Sequence, residues 1–411
     1  MPSHPGRRPD ILAWVAGRLD KQASFEDYLL QLAAACRRAD LGLQIAAGPV
    51  CDPVVRAGLE REGARLLLLP DATLRSASAA APHILRARPR LIHTHFASPS
   101  PMLALVAKAL GVGRFIVTDH GSRPPAGEGG SVAAKLLRRA HRSLPAAAVD
   151  LYLPISGEVA GHLRRDTGVA ERKLSVLTNG IDLHRFRPAA PEDRAVLRRR
   201  LLNIRQDDVL VLYAGQYRDV KGIEELLAVQ PTLLAAFPNL VFAWAGDGPM
   251  RARVEASAGR RVRMLGRRGD MPDLLRAADI VVAPSRRSEA FSPILAEAAA
   301  CSVPTVAARV GNIPAVVEDG VSGYLVPPCD ARALRDAIAA LVADTSRRLA
   351  MGEAARRLAE RRFALEPMVA ATVAHYRALL APRTAPRLAR VMAPRGTATG
   401  AATGAAGQAH P

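Results

Sequence analysis

Lysine is nearly missing from this chain. Five of its 57 basic residues are lysine (Lys21, Lys108, Lys135, Lys173 and Lys221), leaving 52 arginines. Chemistry that needs a lysine-bound cofactor therefore has few positions to use. Aromatic residues make up only 4%, which supplies a base-stacking platform poorly and argues against a nucleic-acid binder. The four cysteines, Cys36, Cys51, Cys301 and Cys329, are scattered without paired spacing. A disulfide framework or cysteine metal site is thus disfavoured, and a reducing cytoplasm is the expected setting. No Asp-x-Asp pair or His/Cys cluster stands out, so no metal site is expected. No apolar run reaches the ~18 residues of a membrane-spanning helix. The apolar stretch 11–17 is short and runs into Arg18-Leu-Asp-Lys21, which reads as a first buried strand rather than a signal peptide.

What is present is abundant apolar material, 49% of 411 residues, in a chain too long for one core. Two domains are the natural expectation. Short apolar runs alternate with segments of helical spacing. Strands are predicted over 11–16, 43–47, 66–69, 91–95, 115–118 and 151–155, with one more near 173–176. A second series follows at 209–213, 241–244, 262–265, 280–283 and 305–307. Two βα series predict an α/β protein with two Rossmann-like, doubly wound domains facing a cleft. The expected division is 1–187 and 188–366, at Pro188-Ala-Ala-Pro191. A helix over 367–380 is expected to pack back on the first domain, and the aperiodic tail 381–411 to be disordered. The net charge of +19 has two readings. One is an arginine-favouring genome. The other is attraction to an anionic partner such as a membrane or a phosphorylated substrate.

The most informative segment is Ser285-Arg-Arg-Ser-Glu-Ala-Phe-Ser-Pro-Ile-Leu-Ala-Glu297. It follows a strand, and Ser292-Pro293 reads as a helix N-cap and first helical position. Backbone N–H groups at such a start attract anions. Glu289 lies just before the helix and Glu297 about one turn inside it. Carboxylates repel phosphate, so they are suited to hydroxyls. An anion beside hydroxyls describes a nucleotide-sugar. Other strand ends add Gly215 through Lys221-Gly222, where Lys221 can face a diphosphate, Gly246-Asp-Gly-Pro249, and Val310-Gly-Asn-Ile-Pro314.

Together with Asn179-Gly-Ile-Asp182 and Glu318 through Pro328, this series resembles the retaining glycosyltransferases of family 4, with the GT-B fold. The resemblance covers nearly all of the chain up to about residue 380. It implies a metal-independent transferase that uses a nucleoside-diphosphate sugar, of the UDP- or GDP-sugar kind, as co-substrate and no other cofactor. Gly215, Gln216, Arg218 and Lys221 would meet the diphosphate, and Gly266-Arg267 the base. Glu289 would hold sugar hydroxyls, with the Ala290, Phe291, Ser292, Pro293 and Ile294 backbone touching sugar or phosphate, and Glu297 would bind the ribose. His120, in Phe115-Ile-Val-Thr-Asp-His-Gly121, would stand at the reacting sugar. His120, Lys221 and Glu289 are therefore the catalytic candidates. Ser24, Glu26 and His95 are assigned to the acceptor side, and His93 and His95 also keep a structural reading.

Three positions depart from the family pattern. Gln216 stands where arginine is usual, with Arg218 near. Ala290 and Ser292 replace glycines. Ala23-Ser-Phe-Glu26 replaces Gly-Gly-x-Glu. A catalytically degenerate GT-B scaffold and a GT-B epimerase are the alternatives these changes keep open. The segment 131–143 reads either as a basic amphipathic helix for an anionic membrane surface or as an ordinary surface helix. The expected role is transfer to a glycan or lipid-linked acceptor in cell-surface polysaccharide synthesis, in the cytoplasm and peripheral to its membrane.

Overall fold

The computed structural model describes residues 8–96, 101–121 and 146–382. The predicted basic helix 131–143 and the tail beyond 382 lie outside these residues.

Twelve strands form two six-stranded sheets, and every pairing in both is parallel. The first contains β1 (Ile11–Val15), β2 (Leu43–Ala47), β3 (Arg65–Leu68), β4 (Leu91–His95), β5 (Arg114–Asp119) and β6 (Leu151–Pro154). Its order is β3-β2-β1-β4-β5-β6. The second contains β7 (Val209–Gln216), β8 (Leu240–Asp247), β9 (Val262–Gly266), β10 (Ile280–Ala283), β11 (Thr305–Ala308) and β12 (Gly323–Val326). Its order is β12-β11-β10-β7-β8-β9, the same 3-2-1-4-5-6 winding read in reverse. Each is thus a Rossmann-type sheet, which opens a crevice where strand order reverses. The switch points fall between β1 and β4 and between β7 and β10.

Burial on both faces explains the apolar strands. Ile11 through Val15 are all buried, with Leu12 and Trp14 in one core and Ile11, Ala13 and Val15 in another. Alternate side chains enter opposite layers, so a doubly covered strand reads as a continuous apolar run. The helix Leu365–Leu380 packs on the first sheet's side, where Leu365, Met368, Val369, Val373 and Tyr376 join the core around Ser24–Arg38. Polar bonds tie it down, among them Tyr376 Oη to His93 Nδ1 at 2.7 Å, Arg90 to the Leu380 carbonyl and Arg114 Nε to the Leu379 carbonyl.

Two elements differ from the sequence reading. Residues 171–173 form a 3₁₀ turn, and beyond it Leu174 bridges to Tyr152 while the Ser175 and Leu177 N–H groups donate to the Tyr152 and Pro154 carbonyls, without a full strand forming. Lys173 tethers that turn, its ammonium donating to the Ala147 and Val149 carbonyls. The strand β12 was not expected, because a short run opening on glycine carries little strand signal. Gly323 is needed there, since a Cβ would stand 2.3 Å from the Thr305 carbonyl oxygen.

Removing the Tyr376 hydroxyl leaves a buried His93 nitrogen short of a partner. Tyr376→Phe should lower stability by about 1–3 kcal/mol, read from urea unfolding. An unchanged midpoint would show that the His93–Tyr376 bond adds nothing net.

Candidate active site at the two switch points

The loops leaving β7 and β10 carry the charged half of the site. Lys221 Nζ donates to Glu289 Oε1 at 2.8 Å, and Ser285 Oγ donates to the same oxygen. Glycines bring these loops into contact. Gly222 has φ +71°, and a Cβ there would lie 1.8 Å from the Pro284 carbonyl oxygen. Gly311, at φ +52°, packs against Ser288 and the Glu289 backbone, and Asn312 N–H donates to the Glu289 carbonyl at 2.9 Å. Glu289 is therefore clamped from both flanking loops. Gly246 lies directly on Gly215, where a Cβ would stand 1.9 Å from the Gly215 carbonyl oxygen.

The helix Pro293–Ala300 begins as expected, with Pro293 at its first position. The cap differs: Ser292 occupies the N-cap position, but its hydroxyl makes no capping bond. Ala290 and Ser292 both avoid the left-handed region, so the loss of the family's glycines costs no backbone strain.

The other candidates are distributed as follows. Glu297 is buried, and Ser24 Oγ of the first domain donates to its Oε1. Burial pushes the Glu297 carboxyl up, and the Ser24 bond opposes that. In this structure Ser24 thus occupies the carboxylate that the resemblance gives to ribose. Gln216 accepts the Tyr213 hydroxyl through its backbone carbonyl. Arg218 precedes the 3₁₀ turn Asp219–Lys221, and its carbonyl accepts the Lys221 N–H. Gly266, at φ +61°, ends β9, and Arg267 pairs with Asp20 of the first domain at 3.7 Å. Ala290 and Phe291 are buried in the core, with Ile294 packed against it.

The first domain's switch point is histidine-rich and aromatic. His93 and His95 lie on β4, and His120 follows β5. His93 is buried between Tyr376 Oη and Thr118 Oγ1, each 2.7 Å away. Its basicity is pushed down to about 3 by burial. His95 is buried too, and burial lowers its basicity. Its Nδ1 lies 3.5 Å from His120 Nε2, and its Nε2 has no hydrogen-bond partner. His120 is half-buried, and loss of water around it by burial lowers its basicity in the same direction. Phe96 stacks on it at 4.2 Å and 21°, and Phe25 meets it edge-on at 5.9 Å.

Glu26 is spent locally. Its carboxylate accepts the Ala23 N–H at 3.1 Å at the start of the helix Ser24–Arg38. Glu26 does not line the cavity that Ser24 and His120 share.

That cavity joins the two halves. About 180 Å³ in volume, it is lined by Ser24, Phe25, Phe96 and His120 from one side and Phe291 and Pro293 from the other. Sequence reading missed Phe96, although its place one residue beyond β4 at a switch point was a usable signal. Also missed was the bond from Ser288 Oγ to Glu158 Oε1, 2.7 Å, between the domains. Among the described residues no group of three or more His, Cys, Asp or Glu could hold a metal ion.

Two Rossmann-type domains meeting at their switch points define a GT-B protein. Residues 26–185 match the family described as Glycosyltransferase Family 4, and residues 197–358 match Glycosyl transferases group 1. The chain belongs to these family 4-type glycosyltransferases. Its curated relatives include a D-inositol 3-phosphate glycosyltransferase of Xylanimonas cellulosilytica, 36% identical over 241 residues. That alignment spans 56% of this chain and 57% of the relative, so the chain covers little more than half the relative's length. A GDP-mannose-dependent phosphatidylinositol monomannoside mannosyltransferase of Corynebacterium glutamicum is 28% identical over 66% of this chain and 72% of its own. Anabaena HepE, solved with UDP and glucose, superposes with a TM-score of 0.72 at 20% identity, covering 89% of this chain and 99% of its own.

Two measurements check this geometry. Gly222→Ala should destabilise the protein by about 3 kcal/mol in urea unfolding, through a left-handed alanine and a backbone clash. Burial pushes the Glu26 carboxyl from its usual 4.5 to about 7. The folded state then holds a proton that the unfolded chain has released, so this contribution is complete below pH 4.5 and lost as pH rises through 7. Relative to Glu26→Gln, the wild type should lose about 3 kcal/mol across that window. Parallel stability curves for the two proteins would contradict the assignment.

Proposed function

We propose that this chain transfers a sugar from a nucleoside-diphosphate sugar to a hydroxyl acceptor, with retention at the anomeric carbon and without a metal ion. One observation carries the reading: Phe291 and Pro293 at the helix start line the same cavity as His120, and the chain just before that start holds Glu289 paired with Lys221. The sugar–phosphate bond needs positive charge on the departing diphosphate and hydroxyl partners around the ring. Lys221 supplies a cation, and the helix Pro293–Ala300 presents a start that no side chain caps. Glu289, held by Lys221 and Ser285, is fixed for accepting sugar hydroxyls. His120, kept neutral by its surroundings, can share a hydrogen bond with a sugar hydroxyl.

The acceptor is a glycan or lipid-linked glycan of the cell surface, made at the cytoplasmic membrane face. Among the described residues no helix is long and apolar enough to cross a membrane. One observation favours the alternative of a degenerate scaffold: Ser24 already occupies Glu297.

The test is nucleotide release from a panel of UDP- and GDP-sugars, with and without EDTA. Turnover of one donor, insensitive to EDTA and with the anomeric configuration kept by NMR, is expected. Lys221→Ala and Glu289→Gln should each lower kcat by about 10²-fold or more while Tm stays near that of wild type. A chain that neither binds nor turns over any nucleotide-sugar would put the scaffold reading first.

A further inference from the structure

We propose that Arg286 is a positioning residue for Lys221, holding its ammonium ready for the departing diphosphate. The proposal rests on the transferase reading above and adds a residue to it.

The observation is a crossed pair of charge contacts between the loops that leave β7 and β10. From the β7 side, Lys221 reaches Glu289 of the β10 loop at 2.8 Å. From the β10 side, Arg286 reaches back. Its Nε donates to Glu225 Oε1 at 2.7 Å, and its Nη1 donates to Asp219. The Arg286 backbone N–H also donates to the Val220 carbonyl at 2.9 Å. Arg286 thus grips the chain on both sides of Lys221, at Asp219 and Val220 before it and at Glu225 after it. A planar guanidinium can hold two carboxylates in this way, whereas an ammonium is a single point of charge.

The grip acts on Lys221 in two ways. The first is mechanical. Lys221 ends the three-residue 3₁₀ turn Asp219–Lys221, a conformation with poor internal hydrogen-bond geometry. Arg286 anchors that turn to the β10 loop through one carbonyl and one carboxylate. The second is electrostatic. Asp219, Glu225 and Glu289 share the two cations Lys221 and Arg286. Glu225 is buried, and its Oε2 has no hydrogen-bond partner among the described residues, so Arg286 is what compensates it. A buried carboxylate stripped of its cation is costly and favours recruiting another. Lys221 lies four residues earlier in the chain, and recruiting it would draw the ammonium off Glu289. Arg286 occupies the competing carboxylates and leaves Lys221 to the donor side.

The test compares wild type with Arg286→Met, Arg286→Lys, Lys221→Ala and the Arg286→Met/Lys221→Ala double variant, all in the full chain. With only five lysines, reductive ¹³C-methylation gives few NMR signals, and the one lost in Lys221→Ala belongs to Lys221. Arg286→Met should move that signal and leave the other lysine signals in place. Arg286→Lys keeps one charge. It should move the signal less, and it carries the test if Arg286→Met proves unfolded. Arg253→Met removes an exposed ion pair with Glu224 on the same helix and should move nothing. In nucleotide-sugar turnover, Arg286→Met should lower kcat about tenfold, with a smaller change in the donor KM and partial recovery in Arg286→Lys. On the Lys221→Ala background the same substitution should change kcat by less than about twofold, because the residue it positions is gone. A Lys221 signal unmoved by both Arg286 variants would overturn the proposal. So would kcat losses that multiply in the double variant. The NMR arm needs no donor, which separates the two readings. A moved Lys221 signal in a chain that turns over no nucleotide-sugar sinks only the transferase reading. Wild-type turnover by folded Arg286→Met sinks only the positioning role.

Discussion

An open parallel sheet with reversing strand order cannot close its own crevice, and this constraint organises the molecule. Where β1 and β4 part, and where β7 and β10 part, the outgoing loops diverge to opposite faces. Each sheet therefore offers one gap at its carboxyl edge. The first gap receives Ser24, Phe25, His95 and Phe96, and the second receives Lys221, Ser285 and Glu289. A single sheet supplies one chemistry. Two sheets set gap to gap combine a cationic, carboxylate-bearing wall with an aromatic, neutral one.

The contrast between the walls bears on the arginine excess. Many arginines are structural. Buried Arg198 donates to the Ala277, Gln206 and Asp208 carbonyls and pairs with Asp279. Arg348 satisfies the Leu341 and Val342 carbonyls at a helix end, and Arg356 reaches those of Phe186 and Ala300. A forked guanidinium can close several backbone acceptors at once, which an ammonium cannot do with the same geometry. The charge count alone would have suggested a cation-lined cleft. The structure instead uses these arginines to satisfy backbone carbonyls away from it.

Among the described residues, polar contacts between the domains include Ser24 to Glu297, Ser288 to Glu158, Asp20 to Arg267, Arg356 to the Phe186 carbonyl and Ile181 N–H to the Phe363 carbonyl. Two of these use residues of the donor segment or the helix it opens.

Much of the fold was legible in the chain. Apolar runs bounded by turns located eleven of the strands, because strands buried on both faces cannot hide their composition. That Lys221, Gly222 and Glu289 would come together was legible because they follow strands at fixed offsets. Tertiary structure alone decided the rest. Strand β12 was too short and too glycine-dependent to show. The Ser292 hydroxyl had the right residue type for a cap, but its environment left it unused. Glu26 and Glu297 have identical chemistry. One is spent on a backbone N–H three residues away, the other on a serine 273 residues distant. Local spacing encodes contacts within a turn or a strand. Pairing across a cleft depends on how two separately wound sheets meet, and no short-range pattern in the sequence records that.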